Sequence, residues 1–583
     1  MRVTGDLPIV HFAAEAAQCP LCGGAVKVYK NRSRQVITMQ AGAFQAIETL
    51  KHCAEDPTHP IMGSSALAQL IAPRQRFAYD LVVEVGCARY LEKKQRTEIQ
   101  ADLYQRRGIE LSNGSISHLC DRFLTHLEAL HLARAPQLRA ILANGYPLHF
   151  DATCELGKGG LFVCMDGLRG WVLVAGRITS EHADHLRPLV ERTTQLFGDP
   201  VATVQDMGKG GAKAILTLRA KGIPDLICHF HFLAAVGKNL FEHDYRLLRR
   251  LLKSSKIRTN LRTLLRDLRC YSSISPCEGQ FGNGIVREDL PALVLWILEG
   301  DGSKDLLYPF GLAHLTFYQR CQQALQRAEC WVQGPRTLPE RRAIAHLATL
   351  VQRFGKDVRF AIAVTRLEQG WQAFCELRDV LQLTNAELPR ADVRAQQKQL
   401  VAIEERRMQE IKDALSDYRK ELSGRVAASG DQGISISPCK VIVKYIDRYA
   451  KRLFSHPLLR DEDGEVVAIV ERTNNVLEHF FGAEKRRLRR RLGRAHLGRD
   501  LEDQPAQAAL AANLRHPDYV RVLCGNLDQL PMAFAELDEQ ALAQATPLIR
   551  SNRDTRLQKR IRARLKEENR IDSSLKTGNL TVV

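Results

Sequence analysis

Between residues 146 and 232 the chain alternates short apolar runs with charged or turn-forming stretches. Three runs at strand length come first: YPLHFDAT (146–153), LFVCMDG (161–167) and GWVLVAGRIT (170–179). Apolar positions at helical spacing follow in 181–198, and then come PVATVQD (200–206), a short helical stretch (210–222) and DLICHFHF (225–232). The pattern predicts three strands in a meander, then a helix, a strand, a helix and a strand.

Two of the predicted strands end in an aspartate whose carboxylate is a candidate metal ligand. The element order is that of an RNase H-like domain, in which the ends of strands one and four lie side by side, here Asp151 and Asp206. Two adjacent carboxylates repel each other unless a cation lies between them, and their hard oxygen atoms select Mg²⁺ or Mn²⁺. Asp166 also ends a strand, but the glycine after it favours a turn-forming role.

A third carboxylate lies far downstream, in TNNVLEHFFGAEKRRLRRRLGR (473–494). Apolar residues at positions 477, 481, 488 and 492 predict one buried stripe on a helix. Glu478 lies in the first apolar turn, and we expect it to be the third ligand of a site for two metal ions. Asn474 and Asn475, one turn earlier, are expected to orient this site or to contact the substrate.

The rest of that helix is densely basic. So many cations beside the single acid Glu484 repel one another unless a polyanion neutralises them, so contact with DNA phosphates is the favoured interpretation. The expected phosphate-binding residues are Lys485, Arg486, Arg487, Arg489, Arg490, Arg491 and Arg494.

The N-terminal residues resemble a zinc ribbon. Cys19 and Cys22 form a C-x2-C knuckle, Cys53 follows about thirty residues later, and His59 comes after it. Strand-like residues lie between the two halves, and two thiolates on one hairpin with two ligands on another make a tetrahedral zinc site. His52 is an alternative fourth ligand.

Residues 77–125 show two amphipathic helical stretches on either side of Gly108. Ser112 or Ser115 is the expected N-cap of the second stretch. A helix, a short turn and a capped helix resemble a helix-turn-helix, with Lys93, Arg106 and Arg107 expected to approach phosphates.

Residues 241–460 are helix-rich, with two breaks at 271–284 and 423–440. Apolar residues from 408 to 422 recur at alternating spacings of three and four, which predicts one long packed helix. The chain ends in a second basic segment, IRSNRDTRLQKRIRARLKEENR.

Composition agrees with a nucleic-acid partner. The 583 residues carry a net charge of +18 and a pI of about 9.3, which favours a polyanionic partner. Scattered cysteines, 15 in number, favour a reducing compartment. The first residues lack a signal-peptide pattern, and no apolar run is long enough to span a membrane. We therefore expect a cytoplasmic protein, and the family resemblance described next further implies association with a prokaryotic nucleoid.

Four blocks together resemble a known family: FDAT, VQDMGKGG, CHFHFL and RTNNVLEHFFGAEKRRLRRR look like the signatures of DDE transposases of the Mutator-like, insertion-sequence type. The resemblance implies an RNase H-like core split by a helical insertion, with Asp151, Asp206 and Glu478 as catalytic metal ligands. Cys228 and His231 match a C-x2-H motif of related families and are expected to support the site. The resemblance further implies two Mg²⁺ (or Mn²⁺) ions, hydrolysis at the ends of a mobile element, and transfer of the freed 3′-OH into target DNA. Double-stranded DNA and a homodimer or larger assembly are the implied partners.

The chain is thus expected to be a multidomain α+β protein. The predicted domains are a zinc-ribbon-like domain (1–70), a helix-turn-helix DNA-binding domain (71–140), an RNase H-like α/β core in two parts (141–240 and 461–500), an all-helical insertion (241–460) and a basic helical C-terminus (501–583). Two alternatives stay open: a catalytically silent DNA-binding regulator derived from a transposase, and an RNase H-like nuclease. A tyrosine recombinase using Tyr519 is disfavoured, since no framework of Arg and His surrounds that residue.

Overall fold

The computed structural model describes residues 7–153, 160–272, 288–300, 307–334, 336–354, 357–383, 397–428, 437–460, 466–494, 496–497, 500–501 and 504–548. The chain divides into two compact units. The first unit contains residues 1–226 and 456–583, and the second contains residues 227–455. Both helices and sheets are present, as the predicted α+β class requires.

The first unit begins with a three-stranded sheet of β1 (Ile9–Ala13), β2 (Val26–Thr38) and β3 (Gly42–Cys53). The strand order is β1-β3-β2, with β1 parallel and β2 antiparallel to β3. Helix α1 (Ser65–Leu70) packs Leu67 against Val36 and Phe44 of the sheet. The Glu15 carboxylate accepts hydrogen bonds from the α1 N-terminus, which lower its pKa to about 2.

Three helices follow: α2 (Tyr79–Tyr90), α3 (Arg96–Arg107) and α4 (Asn113–Ala133). Helix α3 ends at Gly108, whose φ of 63° is a left-handed conformation that glycine adopts without strain. The Ser112 hydroxyl caps α4 by accepting the N–H of Ser115. The two helices around Gly108 that the sequence predicts are therefore confirmed, and Ser112 is the N-cap.

The central sheet contains β4 (Pro147–Thr153), β5 (Gly160–Asp166), β6 (Trp171–Ile178), β7 (Ala202–Gln205) and β8 (Asp225–Ile227). Its order is β6-β5-β4-β7-β8; the meander is antiparallel and β7 is parallel to β4. Helices α5 (Ala135–Ile141), α6 (Ala183–Phe197), α7 (Lys209–Ala214) and α8 (Leu216–Ala220) accompany it. The predicted succession of strands and helices is present, while most of the turn between β4 and β5 (154–159) lies outside the described residues.

The last predicted strand was wrong in its extent. DLICHFHF forms a strand only as far as Ile227, and helix α9 (His229–Ser254) begins two residues later. Phe232, Leu233 and Val236 are buried along α9, so the run CHFHF belongs to the first turn of an amphipathic helix.

The second unit consists of helices in its described residues: α9, α10 (Ile257–Ser272), α11 (Leu290–Glu299), α12 (Ala313–Val332), α13 (Leu338–Gln352), α14 (Val358–Val380), α15 (Gln397–Ala428) and α16 (Pro438–Phe454). Ile411, Leu415 and Leu422 of α15 are buried, as the predicted long helix requires. The second expected break begins later than predicted, because α15 continues to Ala428. Residues 273–287 and 429–436, which hold most of the first break and part of the second, lie outside the described residues.

The chain then returns to the first unit. It forms β9 (Leu458–Arg460), β10 (Val466–Ile469), α17 (Asn475–Leu492), a 3-10 helix (Ala506–Arg515), α18 (Pro517–Cys524), a short 3-10 turn (Leu527–Gln529), α19 (Leu530–Ala535) and α20 (Glu539–Gln544). None of the described helices has the length and apolarity needed to cross a bilayer.

Part of the expected basic C-terminus is instead core structure. The Asn513 amide accepts the N–H of Val172 at 2.8 Å and donates to its carbonyl at 2.7 Å, so it pairs with the edge strand β6 as a neighbouring strand would. Tyr519 is buried against Trp171, and its hydroxyl lies 2.7 Å from Nδ1 of His131. Tyr519 is therefore a core residue, and the basic residues beyond 548 lie outside the described part of the chain.

Candidate active site and metal centre

Strands β4 and β7 bring Asp151 and Asp206 to one edge of the central sheet. The parallel register pairs His149 with Val204, so Asp151 and Asp206 each follow that pair by two residues. Burial and the negative charges of Asp206, Glu181 and Glu478 together raise the pKa of Asp151 to about 7. Carboxylates from four separate parts of the chain therefore act on one another at this edge.

The first turn of α17 is joined to β4 by a buried hydrogen bond. His149 Nδ1 lies 2.9 Å from Asn474 Oδ1, and both side chains are fully buried. Burial lowers the pKa of His149 to about 4, so the ring is neutral and its Nδ1–H donates to the amide oxygen. Glu478 lies one helical turn after Asn474, with its N–H donating to the Asn474 carbonyl. Asn474 thus sets the position of Glu478, whereas Asn475 is exposed.

Glu181 is a site residue that the sequence did not reveal. It lies in the loop between β6 and α6, and burial together with the charge of Asp206 raises its pKa. The sequence indicates Glu181 only indirectly, through the glycines that follow Asp206. A Cβ on Gly210 would lie 1.8 Å from the Glu181 carbonyl oxygen, so the chain needs glycine for the two segments to meet. The N–H of Gly208 donates to Asp206 Oδ1 at 2.8 Å and orients that carboxylate.

Replacing Gly210 by Ala should therefore disturb the site through Glu181. The added methyl forces the backbone at Glu181 to shift, which we expect to destabilise the protein by roughly 1–3 kcal/mol and to reduce metal-dependent activity. Gly424→Ala is the matched control, since no atom lies within 4 Å of its Cβ position on α15. That control should be neutral or stabilising, by up to about 1 kcal/mol. Thermal unfolding checks both, and an unchanged melting temperature for Gly210→Ala would contradict the close packing.

Asp166 is separated from these carboxylates. The antiparallel register places it opposite Leu148, at the other end of β4 from Asp151. Its side chain is fully buried, accepts the N–H of Leu168 at 2.9 Å and pairs with Arg169 at 3.1 Å. The prediction that Asp166 forms a turn is confirmed.

A second chemical centre lies at the ends of β2 and β3. Cys19, Cys22, Cys53 and His59 place one ligand atom each within 4.8 Å of one another. Cys19 Sγ lies 3.3 Å from His59 Nδ1, and the Sγ atoms of Cys22 and Cys53 are 3.5 Å apart. Tetrahedral zinc with Zn–S bonds of about 2.3 Å separates its sulfur ligands by about 3.7 Å. The four side chains can therefore hold a metal such as zinc.

The surroundings of this cluster lower the pKa of Cys19 and Cys53, whereas the two neighbouring thiols raise that of Cys22. Backbone N–H groups of Cys22 and Leu21 lower the pKa of Cys19 to about 6. Asp56 lies 3.3 Å from His59 Nε2, where a carboxylate fixes the orientation of a metal-binding imidazole. His52, the alternative fourth ligand, instead packs its ring against Tyr29. His59 is thus the fourth member of the cluster.

The three carboxylates predicted from the sequence are spaced more widely than these ligands. Within the described ranges, the Cys/His cluster is the one group of three or more potential ligands whose atoms all lie within 4.8 Å of one another. Asp151, Asp206 and Glu478 do not form such a group.

The predicted phosphate-binding residues divide into two sets. On α17 and just beyond it, Arg486, Arg489, Arg490 and Arg494 are exposed, and Lys485 is half-buried. Arg494 lies 3.4 Å from Asp500, and Arg107 on α3 is exposed. Leu477, Phe481 and Leu488 form the predicted buried stripe, and Leu492 is half-buried.

The other set has protein partners or is largely buried. Lys93 binds both oxygens of Glu484 at 3.2 Å, Arg487 binds Glu484 at 2.8 Å, and Arg106 pairs with Glu84. Arg491 is mostly buried, and its Nε atom is sealed from solvent. The expected phosphate-binding residues are therefore not all free at the surface, because Lys93 and Arg487 bind the Glu484 carboxylate.

Cys228 and His231 lie at the beginning of α9, in the second unit. Cys228 is fully buried and His231 is half-buried. Next to them, His229 Nε2 lies 2.8 Å from the Leu453 carbonyl, which joins α9 to α16. Neither Cys228 nor His231 takes part in the described Cys/His cluster.

No protein-family model matches the chain, and no curated protein matches it.

Proposed function

We propose that the protein is a DNA transposase of the DDE type, which cleaves DNA at the ends of a mobile element and joins those ends to target DNA. One observation carries the proposal: Asp206, Glu181 and Glu478 all act electrostatically on the half-buried Asp151. The strand order β6-β5-β4-β7-β8, with β7 parallel to β4, supports it because it is the order of an RNase H-like core.

The donor set fits divalent cations. The charges that act on Asp151 are those of neighbouring carboxylates. A cation bound among these hard oxygen atoms would relieve the repulsion between the carboxylates. Asp151, Asp206 and Glu478 would hold Mg²⁺ or Mn²⁺, which supplies Lewis-acid stabilisation of charge at the phosphodiester. The chain's own contribution is positional: Gly208 orients Asp206, and the pair His149–Asn474 holds the turn that carries Glu478.

The remaining parts of the first unit suit DNA as the substrate. An acidic centre repels a polyanion, and the exposed arginines on the later turns of α17 compensate by binding phosphates. Helices α3 and α4 meet at the short turn between Gly108 and Ser112, and we propose that they read duplex DNA as a helix-turn-helix. In this proposal the zinc-ribbon-like part assists DNA binding, and the enzyme acts in a prokaryotic cytoplasm as a homodimer or larger assembly.

The proposal is tested by offering the full chain three substrates with Mg²⁺: duplex DNA, an RNA–DNA hybrid and a DNA junction. We expect Mg²⁺-dependent cleavage of duplex DNA that leaves 3′-OH ends, followed by their transfer into a target duplex. Preferential cleavage of the hybrid or the junction would instead favour an RNase H-like nuclease. Duplex binding without cleavage would favour a silent regulator.

A further inference from the structure

Positive charge is in excess where the end of α2 meets the second half of α17. Arg89 lies in the last turn of α2, Lys93 follows it, and Arg487 and Arg491 lie on α17. Arg515, at the end of the 3-10 helix, lies at the edge and donates to the Leu91 carbonyl. We call these five residues the arginine pocket. All of them belong to the first unit.

The carboxylate within the pocket is already occupied. Glu484 is 7% exposed and binds Lys93 on one side and Arg487 on the other. Burial lowers the pKa of Lys93 to about 8, and the charges of Arg487 and Arg515 also lower it. Glu484 also attracts Arg491 and Arg515, but it is a single carboxylate facing five cations.

Arg491 is the cation with the least compensation. Within the described part of the chain it makes no hydrogen bond or ion pair, and its Nε atom is shielded from solvent without a partner. Burial and the charge of Arg89 together lower its pKa to about 10, although the charge of Glu484 acts in the opposite direction. An unpaired, largely buried guanidinium is costly to a folded protein unless an anion joins it.

Apart from Glu484, which Lys93 and Arg487 bind directly, the groups that act on Arg491 supply no anion. Burial raises the pKa of the Cys120 thiol to about 11 and raises that of the Tyr90 phenol above its usual value, so both are neutral at physiological pH. Asp121 acts on Cys120 and Tyr90, and Arg96 acts on Cys120 with the opposite sign. Arg89 directs one N–H to the Lys94 carbonyl, which carries no net charge.

We propose that the arginine pocket binds one phosphodiester group of a DNA strand, an inference that rests on the proposed DNA-binding function. A guanidinium matches two phosphate oxygens with paired N–H donors. Exposed Arg486, Arg489 and Arg490 lie on the same helix, so the phosphate belongs to a longer backbone and not to a free anion. A strand held here contacts both the α2–α3 turn and the helix that carries Glu478, which links DNA binding to the placement of the acidic site.

Arg491→Met tests the proposal, because it keeps the apolar stem and removes the charge. Its affinity for a 30-base-pair duplex is measured over a range of KCl concentrations without added Mg²⁺, so that cleavage plays no part. We expect about tenfold weaker binding at low salt and a salt slope smaller by about 1 than that of the wild type. Without DNA, the melting temperature of the variant should equal or exceed that of the wild type, since an uncompensated charge has been removed. Arg491→Gln repeats the test with a polar replacement.

Arg521→Met is the matched control. Arg521 is an exposed arginine on α18, and its side chain has no hydrogen-bond partner among the described residues. The salt slope and the melting temperature of Arg521→Met should therefore both match those of the wild type. A lower melting temperature for Arg491→Met with an unchanged salt slope would make Arg491 a structural residue and overturn the proposal. Failure of the wild type itself to bind duplex DNA would overturn the proposed function as well, so the two failures are distinguishable.

Discussion

Replacing Asp151 by Asn should lower the rate of Mg²⁺-dependent DNA cleavage by at least about three orders of magnitude and leave duplex binding intact. Loss of one metal ligand removes several kcal/mol of transition-state stabilisation, and about 4 kcal/mol corresponds to a thousandfold in rate. Cleavage of a labelled duplex and binding of the same duplex, measured side by side, check the two halves of the prediction.

The same variant should be more stable than the wild type when Mg²⁺ is absent. Burial and three neighbouring carboxylates raise the pKa of Asp151 from 3.8 to about 7, so its ionised form is disfavoured in the folded protein. A pKa shift costs about 1.4 kcal/mol per unit, and Asn removes that penalty near neutral pH. We also expect Mg²⁺ to raise the melting temperature of the wild type more than that of Asp151→Asn.

Asp199→Asn is the control for Asp151→Asn. Asp199 forms a surface ion pair with Lys221 at 2.8 Å, and such pairs contribute about 1 kcal/mol or less. It should keep both cleavage and the response to Mg²⁺. A destabilised Asp151→Asn protein that still cleaves DNA would show that Asp151 is a folding residue and no metal ligand.

Cys53→Ala should release zinc and unfold the N-terminal sheet. The residue ends β3 and is buried within the cluster, and structural zinc sites contribute about 10–16 kcal/mol to the folding of small modules. Zinc content after dialysis and hydrogen exchange across residues 7–70 provide the measurement. We expect about one zinc ion per wild-type chain, loss of that ion from Cys53→Ala, and rapid exchange in β2 and β3.

Two histidine variants identify the fourth ligand in the same assay. His59→Ala should lose zinc, whereas His52→Ala should retain it, since the His52 ring packs on Tyr29 outside the cluster. Cys330→Ala, at an exposed cysteine of α12, controls for the loss of a thiol. Zinc retained by His59→Ala but lost from His52→Ala would reverse the assignment.

The parts of the fold that the sequence predicts well are those with a local cause. Gly108 ends a helix because of its own left-handed backbone, and the apolar spacing in α15 is visible within that one segment. The run CHFHF was misassigned because its apolar residues suit a short strand as well as a helix. Packing along the rest of α9 decides between the two, and a short window does not contain that information.

The same division holds for the candidate site. The ends of two predicted strands identified Asp151 and Asp206, and a family-like motif identified Glu478. Glu181 could be identified only from the close approach of its backbone to Gly210. Lys93 and Glu484 are 391 positions apart, so no local sequence pattern predicts that they pair. Arg491 looked like one more exposed cation, because helical periodicity places a residue on a face but does not show what covers that face.

In the proposed site, Glu478 on α17 is the third carboxylate beside Asp151 on β4 and Asp206 after β7. Mg²⁺-dependent cleavage of duplex DNA by Glu478→Gln, compared with Glu539→Gln at an exposed carboxylate of α20, tests this assignment most directly. We expect Glu478→Gln to lose cleavage with normal duplex binding, and Glu539→Gln to cleave as the wild type does. Wild-type cleavage by Glu478→Gln would contradict the assignment.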